Sequence, residues 1–325
     1  MKSIILILIF LSSLFSSSLN QPALQYKASG SVTDMTINKG KLYVATNASS
    51  VDIFDLKTAK KLESILVPRI KDFMGDIIDS KVYSVDVQGD KIAILSQANK
   101  GFRRIHIYQR GKLDLLISNK DELYTSKLRF LNENTLILGL LGNEIISYDI
   151  SKRKINWTVQ VSHSKFSDFV LNENKDEIVV ADESGDLKIL STNKGSLIDT
   201  LSDQNLDNVF QVDYKNGIIA TAGQDRRVVV YDIHQPERGT SKENFSAYYK
   251  KAPFLIYSVG LSPSGNKVAY ASDEDNNVRV FNTKTKETLG DFTGNKMTLS
   301  KILFLDEERF LVASDDKVIN LFQVK

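Results

Sequence analysis

Along most of the chain, apolar and polar residues alternate in short runs, and the runs end alike. Each closes on an aromatic residue or Leu followed by a polar one: Phe54-Asp55, Tyr108-Gln109, Tyr148-Asp149, Leu190-Ser191, Tyr231-Asp232, Phe281-Asn282 and Phe322-Gln323. Successive endings lie 54, 40, 42, 41, 50 and 41 residues apart. Period-two alternation sends successive side chains to opposite faces of an extended strand. A recurrence in the low forties is the length of one supersecondary unit that buries its faces against its neighbours.

The sixth unit shows the pattern in full. Ile256–Leu261 predicts a strand, Ser262-Pro263-Ser264-Gly265-Asn266 a tight turn, and Lys267–Ser272 a second strand. Asp273–Asn276 turns again, Asn277–Asn282 is a third strand and Glu287–Phe292 a fourth. Gly, Pro, Asn and Asp fall at the turns because they supply the turn dihedrals or local hydrogen bonds. β-Branched residues dominate the apolar runs, and none keeps a helical apolar stripe beyond about three turns, which excludes a helix-rich fold. Seven endings predict an all-β, seven-bladed β-propeller over residues 21–325. The seventh unit shows three strands, and Leu24–Ala28 is the donor for its fourth, a closure that leaves no free sheet edge in the ring.

Several short motifs resemble those of the WD-repeat (WD40-like) propellers. Leu261-Ser262-Pro263-Ser264-Gly265 is similar to their first turn, Ala222-Gly223-Gln224-Asp225 to their Asp-containing second turn, and Tyr231-Asp232 stands in place of the Trp-Asp pair. Thr293-Gly294-Asn295 and Ser162-His163 occupy the place of the Gly-His pair. No dipeptide position holds Trp, and only His163 matches the family's structural His, so most of that family's hydrogen-bonded tetrad is expected to be missing.

The first residues carry a different signal. Lys2 precedes eight unbroken apolar residues, Ile4–Leu11, and after Ser12-Ser13 and Leu14-Phe15 come three serines. A charge, a short apolar core and small residues make residues 1–20 a secretory signal peptide, too short for a membrane span, with cleavage between Ser18 and Gln21. The 325 residues contain no cysteine, which with export points to a bacterial periplasm and removes disulfide, zinc-thiolate and thiol chemistry. A net charge of +2 with 42% apolar and 25% charged residues describes a soluble globular protein that is no nucleic-acid binder.

Catalytic chemistry finds little support. His106, His163 and His234 fall in three different units, so a three-histidine metal site is not expected. The acidic runs Asp182/Glu183/Asp186, Asp273–Asp275 and Asp315-Asp316 occupy equivalent turns, where carboxylates cap backbone amides. Gly139-Leu140-Leu141-Gly142-Asn143 is a hairpin turn without the Lys and helix of a phosphate loop. No catalytic residue, metal or cofactor is therefore assigned.

Two connections are long. Pro68–Lys81 separates units one and two, and Gln235–Phe254 lengthens units five to six. The second holds interleaved aromatic and basic residues, and insertions in repeat folds become binding loops. Arg238, Tyr248, Tyr249, Phe254 and Tyr257 form the expected protein-binding surface, with Arg103 and Arg104 as a second, basic corner. As a whole, the chain resembles the accessory propeller proteins of bacterial periplasmic nitrate reductase systems, the NapL family. The residues themselves predict a monomeric, non-catalytic scaffold that binds other periplasmic proteins, and the resemblance implies a supporting role in assembly or activity of a molybdenum enzyme, with nitrate reductase subunits among the partners. A scaffold for outer-membrane protein assembly and a propeller hydrolase or lyase with a metal in its central channel are the alternatives.

Overall fold

The computed structural model describes residues 19–234 and 245–324. The apolar core of the leader and Arg238 lie outside the described residues. Seven four-stranded antiparallel sheets follow one another along the chain and form a seven-bladed β-propeller. The third strands are Ser50–Asp55, Arg103–Gln109, Glu144–Asp149, Leu187–Ser191, Arg227–Asp232, Val278–Asn282 and Val318–Gln323, and each ends on the dipeptide that marks the repeat. The aromatic of that pair packs between blades: Phe54, Tyr231, Phe281 and Phe322 are completely or almost completely buried. Tyr108 of blade 2 departs from this, lying half-buried with its hydroxyl donating to Glu63.

The ring closes as the alternation predicts. Leu24–Lys27 is the outermost strand of blade 7 and pairs antiparallel with Val318–Gln323, Leu24 opposite Leu321 and Lys27 opposite Val318. Tyr26 fixes the register: its ring meets Phe54 of blade 1 edge-on at 5.8 Å, and its hydroxyl donates to the Leu56 carbonyl at 2.6 Å. Just upstream, the Asn20 amide donates to the Asp291 carbonyl of blade 6, and Thr293 donates back to Asn20. One short stretch thus ties blades 6, 7 and 1.

Each innermost strand runs from one face of the disc to the other. We name the face where these strands begin the entry face. In blades 1 to 5 and 7 the innermost strand slips register at the same place, between its first and third residues: Val32/Asp34, Val82/Ser84, Thr125/Lys127, Phe166/Asp168, Val209/Gln211 and Leu299/Lys301. A bulge of this kind re-aims the residues that follow it. Blade 6 is the exception. Its innermost ladder covers Val259–Leu261 rather than the expected Ile256–Leu261, because the Ile256 amide donates to Gly223 of blade 5 instead. Gly260 then lies so close to blade 7 that a Cβ would sit 2.9 Å from Ile302.

Where WD-repeat proteins have a His-based tetrad, this chain uses amides and hydroxyls. His163 is exposed, and its neighbour Ser162 donates to Asp182 at 2.7 Å beside Asn143 at 2.8 Å. In blade 5, Asn205 links Thr221 and Asp225. Near blade 7, Asn320 donates to Asn295, which donates to the Asn276 carbonyl.

Candidate functional site

The bulged inner strands set the chemistry of the central channel. After the bulge, the third and fifth residues of each strand face the channel or the next blade, and several are carboxylates. Asp34 accepts from the Val85 amide of the next blade at 3.2 Å, and Asp168 from Val212 at 3.2 Å. One register further on, Asp86 accepts from Phe130 at 2.7 Å and Asp213 from Leu261 at 2.8 Å. In each pair the acceptor at one strand position takes the amide one position further along in the following blade. These carboxylates staple neighbouring blades by satisfying amides that no sheet ladder reaches.

Two cations complete this layer. Arg129 holds both oxygens of Asp34, at 2.8 and 3.0 Å, and Lys127 meets Asp168 at 2.5 Å. Arg129 keeps the Asp34 carboxyl well below the usual carboxylate range despite burial, and burial pushes Asp86 upward. Burial, with Lys301 and Arg129 nearby, lowers Lys127 to about 8 against the pull of Asp168. Among the described residues, no group of three or more His, Cys, Asp or Glu side chains is arranged to hold a metal ion. The acidic turns hold amides: Asp273 accepts from Asp275 and Asn277, and Asp182 from Ser184. His106 is buried and lowered to about 4 by burial and the charge of Arg104, while His234 pairs with Asp232 at the surface.

The entry face carries the apolar contacts. The Tyr257 ring stacks on Phe210 at 5.2 Å, and Phe254 leans on Tyr257 at 6.3 Å and is partly exposed. Across the mouth the Arg103 guanidinium lies 4.0 Å from the Tyr83 ring, and Phe102 stacks on Tyr124 at 5.6 Å. The structure therefore brings Arg103, Phe254 and Tyr257 to one face.

The other expected contact residues are placed differently. Residues 246–251 are the outermost strand of blade 5, not a loop. Tyr248 turns inward, its hydroxyl donating to the Thr283 carbonyl of blade 6 at 2.5 Å, and burial raises it to about 12. Tyr249 covers Arg227 at 4.3 Å on the outer rim. Arg104 is spent internally on Ser96, Ser80 and the Pro68 carbonyl.

A feature of the entry face escaped the sequence reading. Within Pro68–Lys81, Ile70–Lys71 and Ile77–Ile78 pair into a small hairpin. Its tip puts Phe73 96% and Met74 72% into solvent, while Ile70 at its base is buried. The Asp72 carboxylate accepts the amides of Met74 and Asp76, both at 2.9 Å, and Gly75 takes the positive φ of 94° that the turn needs. The base is fixed by Arg69 to Asp79 at 2.8 Å and by the Lys71 amide to Asn99 at 3.0 Å. The signal was two adjacent large apolar residues between two turn-forming aspartates.

The fold is similar to that in the crystal structure of the Myceliophteria thermophila Cps50 (Swd1) β-propeller domain. The two share 12% sequence identity with a TM-score of 0.77, over 94% of this chain and 100% of that one. At that identity the likeness shows the fold alone. No protein-family model and no curated protein matches the chain.

Proposed function

We propose that this propeller is a non-catalytic protein-binding scaffold whose contact surface is the entry face. The observation that carries the reading is the Phe73-Met74 tip. Two large apolar side chains are held in water by a turn in which the Asp72 carboxylate accepts the Met74 and Asp76 amides and the Asp72 and Gly75 amides donate to main-chain carbonyls. Burying a Phe or Met side chain is worth about 1.5–3 kcal/mol, and because the hydrogen-bonded turn already fixes most of the tip's backbone, a partner that buries these side chains has mainly their rotamers left to order. Phe254, Tyr257 and Phe210 add aromatic area, and Arg103 adds a cation already positioned on Tyr83. The partner this surface fits is a protein with an apolar pocket that receives the tip.

The finer reading places the scaffold in the bacterial periplasm, serving nitrate reductase. Its support is the signal-like leader, the absence of cysteine and the whole-chain resemblance to the accessory propellers of that system. Replacing Phe73 by a photo-crosslinking phenylalanine and irradiating cells should capture a discrete partner. Capture of nitrate reductase subunits, with reduced nitrate reductase activity in a deletion strain, supports the finer reading; full activity in that strain removes it.

A further inference from the structure

The channel opens on the face opposite the hairpin into a cavity of about 310 Å³. Lys127, Arg129, Lys175, Lys215 and Lys301 all line it. Asp34 and Asp168 neutralise Arg129 and Lys127, as described above. Three lysines are then left without a carboxylate partner. Lys175 donates only to neutral oxygens, Gln88 Oε1 at 3.0 Å and the Phe130 carbonyl at 2.8 Å. Among the described residues, Lys215 and Lys301 donate to no acceptor and lie in no ion pair. Three carboxylates share the wall and keep their charge, but oxygens of theirs are turned to backbone amides and, among the described residues, none forms an ion pair with these lysines: Asp86 and Asp213 hold the Phe130 and Leu261 amides, and Glu173 holds that of Asn216 at 3.0 Å. Like charges facing one cavity repel, and a bound anion relieves that repulsion; low-dielectric walls strengthen the attraction.

We infer that this cavity is a binding site for a small multivalent oxyanion of the phosphate class. Lysines that line one cavity from blades 4, 5 and 7 suit a tetrahedral anion that accepts hydrogen bonds in several directions. A planar carboxylate is matched best by a guanidinium fork, and the only one here is occupied by Asp34. The site is independent of the entry-face surface and stands or falls separately from it.

The test is calorimetric titration of the purified full chain at constant ionic strength with inorganic phosphate, with glycerol 2-phosphate and with succinate. Saturable one-to-one binding of either phosphate, at least tenfold tighter than succinate, supports the site. Equal binding of the two phosphates identifies the free anion as the ligand, and preference for the monoester identifies a phosphorylated small molecule. Lys215→Gln and Lys301→Gln should each weaken binding about tenfold or more, while Lys112→Gln on the outer surface should leave it unchanged. Should the channel variants fail to fold, the wild-type melting temperature decides: it should rise with phosphate and not with sodium chloride of equal ionic strength. No saturable binding at millimolar phosphate, tighter succinate binding, or folded channel variants that bind normally would overturn the inference.

Discussion

Arg129 of blade 3 closes both of its forked donors on the two oxygens of Asp34 of blade 1, reaching past the whole of blade 2. The same guanidinium donates to Ser84 of blade 2 at 2.9 Å and to the Leu128 carbonyl at 2.8 Å. Three consecutive blades are thus locked by one side chain at the channel wall. Arg129→Ala would leave Asp34 buried without its counter-charge. That loss should lower stability by about 3–5 kcal/mol, read from the midpoint of denaturant unfolding. Arg129→Lys should recover only part of the loss, since an ammonium cannot occupy both oxygens in the fork geometry. A change under about 1 kcal/mol in the alanine variant would show that the pair does not couple the blades.

Closure rests on residues 22–29. Deleting them removes the outermost ladder of blade 7 and the Tyr26 hydrogen bond to Leu56, and exposes the Val318–Gln323 edge. The truncated protein should melt well below the full chain and aggregate on heating. Tyr26→Ala alone should cost roughly 3–5 kcal/mol, as for other fully buried aromatics. Superimposable melts would mean that the ring closes without this strand.

His106 makes stability depend on pH. Its folded value, about 4, lies below the ordinary value of 6.5 because burial and Arg104 disfavour the charged ring. Between those two pH values the unfolded chain takes up a proton that the folded chain refuses, so acidification destabilises the fold. The contribution is complete above about pH 6.5 and falls by at most about 1.4 kcal/mol per pH unit through the window. Unfolding curves at pH 7 and pH 5 should therefore differ more for the wild type than for His106→Gln. Equal differences would assign the acid sensitivity to other groups.

The leader leads to a further expectation. The mature protein should begin between residues 19 and 22 in a periplasmic fraction. Asn20 is bonded on both sides to blade 6, so cleavage before it should leave a more stable protein than cleavage after it. Intact-mass measurement of exported protein decides between these starts, and a soluble cytoplasmic form retaining Met1 would contradict export.

The blades were legible in the sequence because burial between neighbours imposes a large apolar residue at the end of nearly every third strand, Phe or Tyr in most blades and Leu190 in blade 4. Phe54, Tyr231 and Phe281 announce themselves by type and spacing. The closing strand was legible for a related reason: Leu24 and Tyr26 continue a period-two pattern where the last blade lacks one. What did not show was anything set by contacts between blades. Asp34, Asp86, Asp168 and Asp213 look like ordinary polar positions of half-buried strands, and only the bulge aims them at the next blade's amides. The partner of Tyr248 was hidden in the same way, since nothing in residues 246–251 tells that Thr283 offers a carbonyl to its hydroxyl. The Ile70–Ile78 hairpin was invisible because two-residue strands have no period to read.

The reading as a scaffold stands most directly on the entry-face tip. The decisive measurement is the dissociation constant of the partner captured through residue 73, for wild type and for the F73S/M74S double variant, with melting curves of both. Each tip residue buried in a partner pocket is worth about 1.5 kcal/mol or more, so the double variant should bind about a hundredfold more weakly while melting as the wild type does. Unchanged affinity in a normally folded variant would contradict the account and take the partner surface away from this face.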